Sequence, residues 1–184
     1  MVVSYWAGEP YRIEAEALRM TLDSFSVPHV IERLPDTGRW ETNCNLKAEF
    51  LIRMREAWAG PLVWLDADAR VKGSLEPLDG LACDVGLHRF RGREVLSGTL
   101  LLNDTPGCRA LLEEWAVECS TNPYEWDQRN LAAALKTMAA LRFNPLSVRE
   151  LGPEWCWVEG LSERYHKGVE PVIVQTQASR RLRT

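Results

Sequence analysis

Leu62-Val63-Trp64-Leu65-Asp66-Ala67-Asp68-Ala69 is the stretch on which the reading of this sequence turns. Its first four residues form an unbroken apolar run of strand length, the mark of a central strand buried on both faces. Gly60 and Pro61 stand before the run and two aspartates stand at its end, so its boundaries are set by residue type as well as by hydropathy. In an open α/β sheet, ligands collect outside the carboxyl ends of the central strands. Asp66 and Asp68 are therefore expected where chemistry is done.

The flanking pattern agrees with such a sheet. Val2-Val3-Ser4-Tyr5-Trp6 predicts a first buried strand that stops at Gly8 and Pro10. A helix is predicted from about Pro10 to Phe25, with Ile13, Ala17, Leu18, Leu22 and Phe25 at helical spacing, and Pro28 closes it before a short strand His29-Val30-Ile31. After the turn-rich Pro35 to Gly38, a second helix is predicted from about Asn45 to Trp58, with Leu46, Phe50, Leu51, Met54 and Trp58 on one side. Further strands are expected at Asp84 to His88 and at Val95 to Leu102, the latter interrupted by Ser97-Gly98-Thr99. Helices follow from about Pro106 to Cys119, with Leu111, Leu112 and Trp115 inward, and from about Trp126 to Leu141. Arg142-Phe143 and Val172-Ile173-Val174 are the last strand candidates. The alternation predicts an α/β fold: one domain over residues 1–184, with a mixed, mostly parallel sheet and helices on both faces.

Composition narrows the function classes. A chain of 184 residues with 46% hydrophobic and 26% charged residues can bury one sizeable core. The net charge of -4 argues against a general nucleic-acid binder, and the one basic cluster, Arg180, Arg181 and Arg183, is at the C-terminus. Five dispersed cysteines, with no Cys-x-x-Cys pair, indicate free thiols rather than a disulfide framework or a zinc site. No basic segment followed by an apolar one opens the chain, and no run of about 18 apolar residues occurs, which leads to the expectation of a cytoplasmic protein without an integral membrane segment.

Two carboxylates one residue apart repel each other unless a cation lies between or beside them. Magnesium or manganese suits such a pair, because these ions take oxygen ligands and keep positions open for substrate phosphates. The plainer alternative is that Asp66 and Asp68 only close a turn.

The segment from Leu62 to Ala69 resembles the Asp-x-Asp motif of GT-A nucleotide-diphospho-sugar transferases, in particular glycosyltransferase family 8, the glycogenin-like enzymes. Lys47 on the preceding helix, the strand Ser97-Gly98-Thr99 with Leu100 to Asn103, and Asp127-Gln128 after Trp126 resemble further blocks of that family, in order, over most of the chain. The resemblance implies a GT-A fold, a UDP-sugar donor, manganese or magnesium as cofactor, and transfer to an acceptor with retention of configuration. The acceptor class, whether glycan, protein or small molecule, is left open.

It also implies roles. Asp66 and Asp68 would hold the metal and the donor diphosphate, and Lys47 and Arg180 would add positive charge there. Tyr5 and Trp6 would stack on the base, with core packing equally open for Trp6. Ser97, Gly98 and Thr99 would line the donor sugar, or else form a β-bulge. Asp127 would contact the donor sugar or activate the acceptor, or else simply start a helix; Gln128 would face the reaction centre. The family's C-terminal histidine ligand is missing from Val172 to Ser179, where Gln177, or Gln175, offers a carbonyl oxygen, and His166 is a remote substitute. His29 and His88 read as structural. Of the eight tryptophans, Trp58, Trp64 and Trp115 are assigned to the core, whereas Trp40, Trp126, Trp155 and Trp157 fall in loop-like segments suited to a sugar acceptor site. Two alternatives remain: a haloacid dehalogenase-type phosphohydrolase, which uses a similar strand and Asp-x-Asp, and a GT-A-like binding module without turnover.

Overall fold

The computed structural model describes residues 1–141 and 146–182. The expected strand at Arg142-Phe143 and the last arginine of the basic cluster, Arg183, lie outside them. The elements run β1 (Val2–Trp6), α1 (Glu9–Ser24), β2 (His29–Arg33), α2 (Trp40–Ala57), β3 (Leu62–Leu65) and β4 (Ala69–Val71). They continue with β5 (Val85–Phe90), β6 (Glu94–Leu102), α3 (Pro106–Thr121), α4 (Asp127–Ala140), β7 (Val148–Glu150), β8 (Trp157–Val158), β9 (Ile173–Gln175) and α5 (Ala178–Leu182).

The main sheet has six strands in the order β2-β1-β3-β6-β5-β7. Five point the same way and β6 alone is reversed, antiparallel to both β3 and β5. The expected mixed, mostly parallel sheet is thus observed. Alternation along β3 explains its central place. Leu62 and Trp64 join the core under α2, α3 and α4, with Phe50, Leu112, Trp115 and Leu131, while Val63 and Leu65 join the core under α1, with Leu18, Leu22, Val71 and Ile173. No residue of this strand faces water, so polarity can enter only at its end.

Several local expectations shift. The buried stripe of α1 runs through Ala15, Leu18 and Leu22, leaving Ile13 66% exposed, because the helix meets β4 along that line. Helix α2 starts at Trp40 rather than Asn45. Its first turn is tied to the preceding loop, where Asn43 bonds Asp36 and Thr37 bonds both Thr42 and Asn43. Trp58, expected in the core, is 43% exposed, since the helix ends at Ala57 and the chain turns away there. Buried Arg55 holds that exit together by donating to the carbonyls of Trp58, Gly60 and Leu102.

The C-terminal strand does not extend the main sheet. It pairs antiparallel with β4 and parallel with β8 in a small three-stranded sheet below the end of β3. Strands of two or three residues carry no periodic signal, so this second sheet was invisible beforehand. Among the described residues, no helix is long and apolar enough to cross a membrane. All five cysteines are free thiols, and burial pushes those of Cys108, Cys119 and Cys156 up to about 12.

Candidate active site

A cavity of about 380 Å³ opens at the carboxyl ends of β1 and β3. Asp66 leaves β3 with its amide bonded to the Gly98 carbonyl at 3.0 Å, and a turn closed by Ala69 N–H on the Asp66 carbonyl returns the chain into β4. Asp66 and Asp68 both face this cavity, and so do Lys47, Ser97, Asp127 and Gln128. Tyr5, Trp6, Gln177, Arg180 and Gly98 complete the expected set; Thr99 alone stays out of the lining and is fully buried.

Lys47 organises one wall. Its ammonium donates to Asp66 Oδ1 at 2.8 Å and to Asp127 Oδ2 at 2.6 Å, and lies 3.3 Å from the Ser97 carbonyl. Ser97 Oγ donates to the same Asp127 oxygen at 2.8 Å, and the Trp64 indole N–H reaches Asp66 Oδ1 at 3.1 Å. Burial disfavours the ammonium, yet the two carboxylates outweigh it and raise its pKa above the usual lysine value. The lysine expected to reach the donor is therefore a buried bolt between two acids contributed by β3 and α4. Asp127 is fixed from below as well, since its carbonyl accepts the Trp115 indole N–H at 3.0 Å.

Asp68 has a different setting. Its Oδ2 accepts the Ala178 N–H at 2.7 Å and its carbonyl accepts from Thr176, so the start of α5 holds it. Gln177, between them, has φ +58°, a left-handed backbone that a non-glycine residue adopts only when its neighbours impose it. Arg70, whose charge reaches Asp68, is paired with Glu14. Burial, reinforced by the charge of Asp66, pushes the Asp68 carboxyl up to about 6. Asp66 is also raised, first by burial, although Lys47 opposes this; about a third of its side chain, 35%, stays exposed at the cavity.

The pair fits a hard divalent cation. No described residue donates a hydrogen bond to Oδ2 of Asp66 or Oδ1 of Asp68, so each carboxylate keeps an oxygen for such an ion. Among the described residues, no third His, Cys, Asp or Glu joins them.

The Ser97-Gly98-Thr99 segment is a register irregularity. Leu87 pairs with Leu100 and His88 with Leu96, so the three residues between are pushed out of the β5 ladder. That bulge delivers the Ser97 hydroxyl and carbonyl to Lys47. A Cβ at Gly98 would lie 2.9 Å from Cδ of Gln175, so the missing side chain makes room for that amide. Gln175 Nε2 donates to the Gly98 carbonyl and to Thr99 Oγ1, both at 3.0 Å, while its buried Oε1 accepts nothing among the described residues.

Tyr5 is packed against Phe50 and Trp64, with its hydroxyl donated to the Asn43 carbonyl at 2.7 Å. The residue is only 7% exposed, which leaves little of its ring for stacking on a base. Trp6 carries the Arg33 guanidinium 5.4 Å above its ring, and Arg180 is exposed on α5. Gln128 donates to Glu94 Oε1 at 2.9 Å. Glu94 was missed, as nothing in its local sequence marks it. The Trp64 contact was legible, because residues 64 and 66 share one side of an extended chain. His166 sits among Phe90, Trp157 and His88 rather than in the cavity wall. Trp155 and Trp157 are buried, so of the four loop tryptophans only Trp40 and Trp126 face the cavity.

No protein-family model matches the chain, and no curated protein matches it in sequence. Solved structures do. A glycosyltransferase involved in the glycosylation of the major capsid of PBCV-1 superposes with a TM-score of 0.68 at 10% identity, over 98% of this chain and 96% of that one. The apo-form glycosyltransferase GlyE of Streptococcus pneumoniae TIGR4 gives 0.65 at 16% identity over 95% of this chain, which spans 53% of GlyE. At these identities the likeness is one of architecture: the chain has the fold of these glycosyltransferases.

Proposed function

We propose that this chain is a glycosyltransferase that takes a sugar from a nucleotide-diphosphate donor, with UDP as the nucleotide and manganese or magnesium as cofactor. The observation that carries the reading is the pair Asp66 and Asp68, which face one cavity with an unclaimed oxygen each. Such a cation would neutralise charge on the leaving diphosphate. With two protein carboxylates and no third acidic ligand described, it would rely on donor phosphates for the rest of its shell.

The residues of the chain divide the work. Lys47 holds one oxygen of Asp66 and one of Asp127, so the two carboxylates keep a fixed relation before any ligand arrives. Asp127 keeps Oδ1 for a sugar hydroxyl while Lys47 and Ser97 occupy Oδ2. Arg180 and Trp6 offer charge and a ring at the end of β1, which suits the nucleotide. Gln175, whose buried Oε1 has no described partner, and Gln177 would be the neutral oxygen donors available to such a cation. Retention of configuration is part of this proposal.

Thermal unfolding tests it. Manganese and UDP together should raise Tm by about 5–10 °C at roughly hundredfold excess over Kd, a stabilisation of about 2.7 kcal/mol. Either alone should give a much smaller shift. Asp66→Asn and Asp68→Asn should each remove the joint effect, and a shift that survives both substitutions overturns the proposal.

A further inference from the structure

Two aromatic rings, Trp40 half-buried and Trp126 exposed, meet at the wall of this cavity. Trp40 begins α2 and Trp126 immediately precedes α4; their ring centroids are 5.9 Å apart and their planes stand at 88°. Both line the cavity shared by Asp66 and Asp127, and Trp126 is 41% exposed. Trp58 is equally exposed but lies over Gly60, away from any described cavity. Exposure alone therefore separates nothing. What distinguishes Trp40 and Trp126 is that they form a corner of indole beside Asp127, in a wall that also presents polar side chains.

The sign of charge along the wall says what can rest there. Elsewhere on the lining the groups are cationic: Trp6 carries Arg33 over its ring, and α5 contributes Arg180. Near Trp126 the cavity presents Glu94, which no described lysine or arginine pairs and which holds the neutral amide of Gln128. The guanidinium of Arg129, over the Trp126 ring, is bonded to Glu125 at 3.1 Å. A diphosphate is repelled from Glu94 and drawn toward Arg180. A neutral molecule with many hydroxyls and an apolar flat face meets the opposite conditions: indole for its C–H face, a carboxylate oxygen and an amide for its hydroxyls.

We infer that Trp40, Trp126, Glu94 and Gln128 form an acceptor subsite for the neutral pyranose end of a saccharide. The inference rests on the glycosyltransferase reading, which it deepens by naming the acceptor class. It also divides the two aromatic ends of the cavity between the substrates: Trp6 for the nucleotide, Trp40 and Trp126 for the sugar that receives.

Saturation-transfer NMR with the intact protein tests it, using methyl glucosides, methyl galactosides, methyl rhamnosides, lactose and cellobiose as probes, with manganese and UDP present and absent. At least one probe should receive saturation on its ring C–H protons. Trp126→Ala and Trp40→Ala should weaken that binding about tenfold, the scale of one aromatic contact, while the manganese–UDP melting shift stays unchanged. Trp126→Phe should keep part of the affinity, and Glu94→Ala, a change at an exposed side chain that leaves both rings in place, should weaken binding without altering Tm. The inference is overturned if no probe binds, if probe binding is indifferent to all three of Trp126→Ala, Trp126→Phe and Glu94→Ala, or if Trp126→Ala abolishes the UDP effect. In that last case Trp126 serves the base. A wild-type protein that binds saccharide through these rings but shows no UDP effect would instead refute the glycosyltransferase reading and leave the sugar site standing.

Discussion

Asp127 and Asp68 line one cavity, and the chief difference between them is a lysine. Asp127 is buried with the Lys47 ammonium and the Ser97 hydroxyl on one oxygen, so its charge is balanced inside the protein. Asp68 has a backbone N–H and a guanidinium already engaged by Glu14, and its carboxyl is pushed up to about 6. Asp66 belongs to both settings, held by Lys47 on one oxygen and repelling Asp68. Two acids tied to one internal ammonium are held in place. On the proposed reading, an acid left without such a partner would draw a cation from outside, and the tied pair would hold that cation in a fixed place.

Removing the lysine should have the largest effect. Lys47→Met leaves Asp127 buried and uncompensated, at a cost of about 3–5 kcal/mol, so Tm should fall by about 10 °C at neutral pH. The loss should shrink on acidification as the stranded carboxylates take up protons. A Tm within 2 °C of wild type, read by calorimetry, would mean that the acids are balanced some other way.

Asp68→Asn should act in the opposite direction. A raised carboxyl pKa means that the native state favours the protonated form, so the stability Asp68 contributes is full below the ordinary carboxylate range and lost as pH rises through about 6. Without divalent cation, the variant and the wild type should melt together near pH 4 and separate above pH 6, with the variant higher by about 2–4 °C. Manganese with UDP should reverse the ranking at pH 7.5, because only the ionised wild type recruits the cation. Equal melting at all pH values would mean that Asp68 carries no such charge deficit.

Ser97→Ala should be the mildest. It deletes one hydrogen bond to an Asp127 oxygen that Lys47 still holds, worth about 1 kcal/mol or less, so Tm should drop by about 1–3 °C. A loss as large as that of Lys47→Met would show that the hydroxyl, rather than the ammonium, fixes Asp127.

How far the sequence revealed this depended on how local each cause was. Leu62 to Leu65 announced a central strand because burial on both faces leaves a continuous apolar run, and its end then located Asp66 and Asp68. The role of Lys47 was not local. Its partner Asp127 is 80 residues away, and nothing in either neighbourhood says that they meet. Tyr5 and Trp58 were assigned by their elements, but Tyr5 turned into the core and Trp58 fell one residue beyond its helix. Gly98 was marked as unusual by its small size, while the reason, the amide of Gln175, comes from a strand of the second sheet.

One consequence follows from the reversed direction of β6. Because β6 runs against its neighbours, its beginning lies at the cavity edge of the sheet, and the tight connection from Phe90 to Glu94, with Arg91 and Gly92 at positive φ, meets the cavity through Phe90 and Glu94. Growth of this connection would project outward over whatever enters, without displacing a single rung of the ladder behind it. The hairpin tip can thus vary in length and sequence while the β5–β6 ladder stays intact.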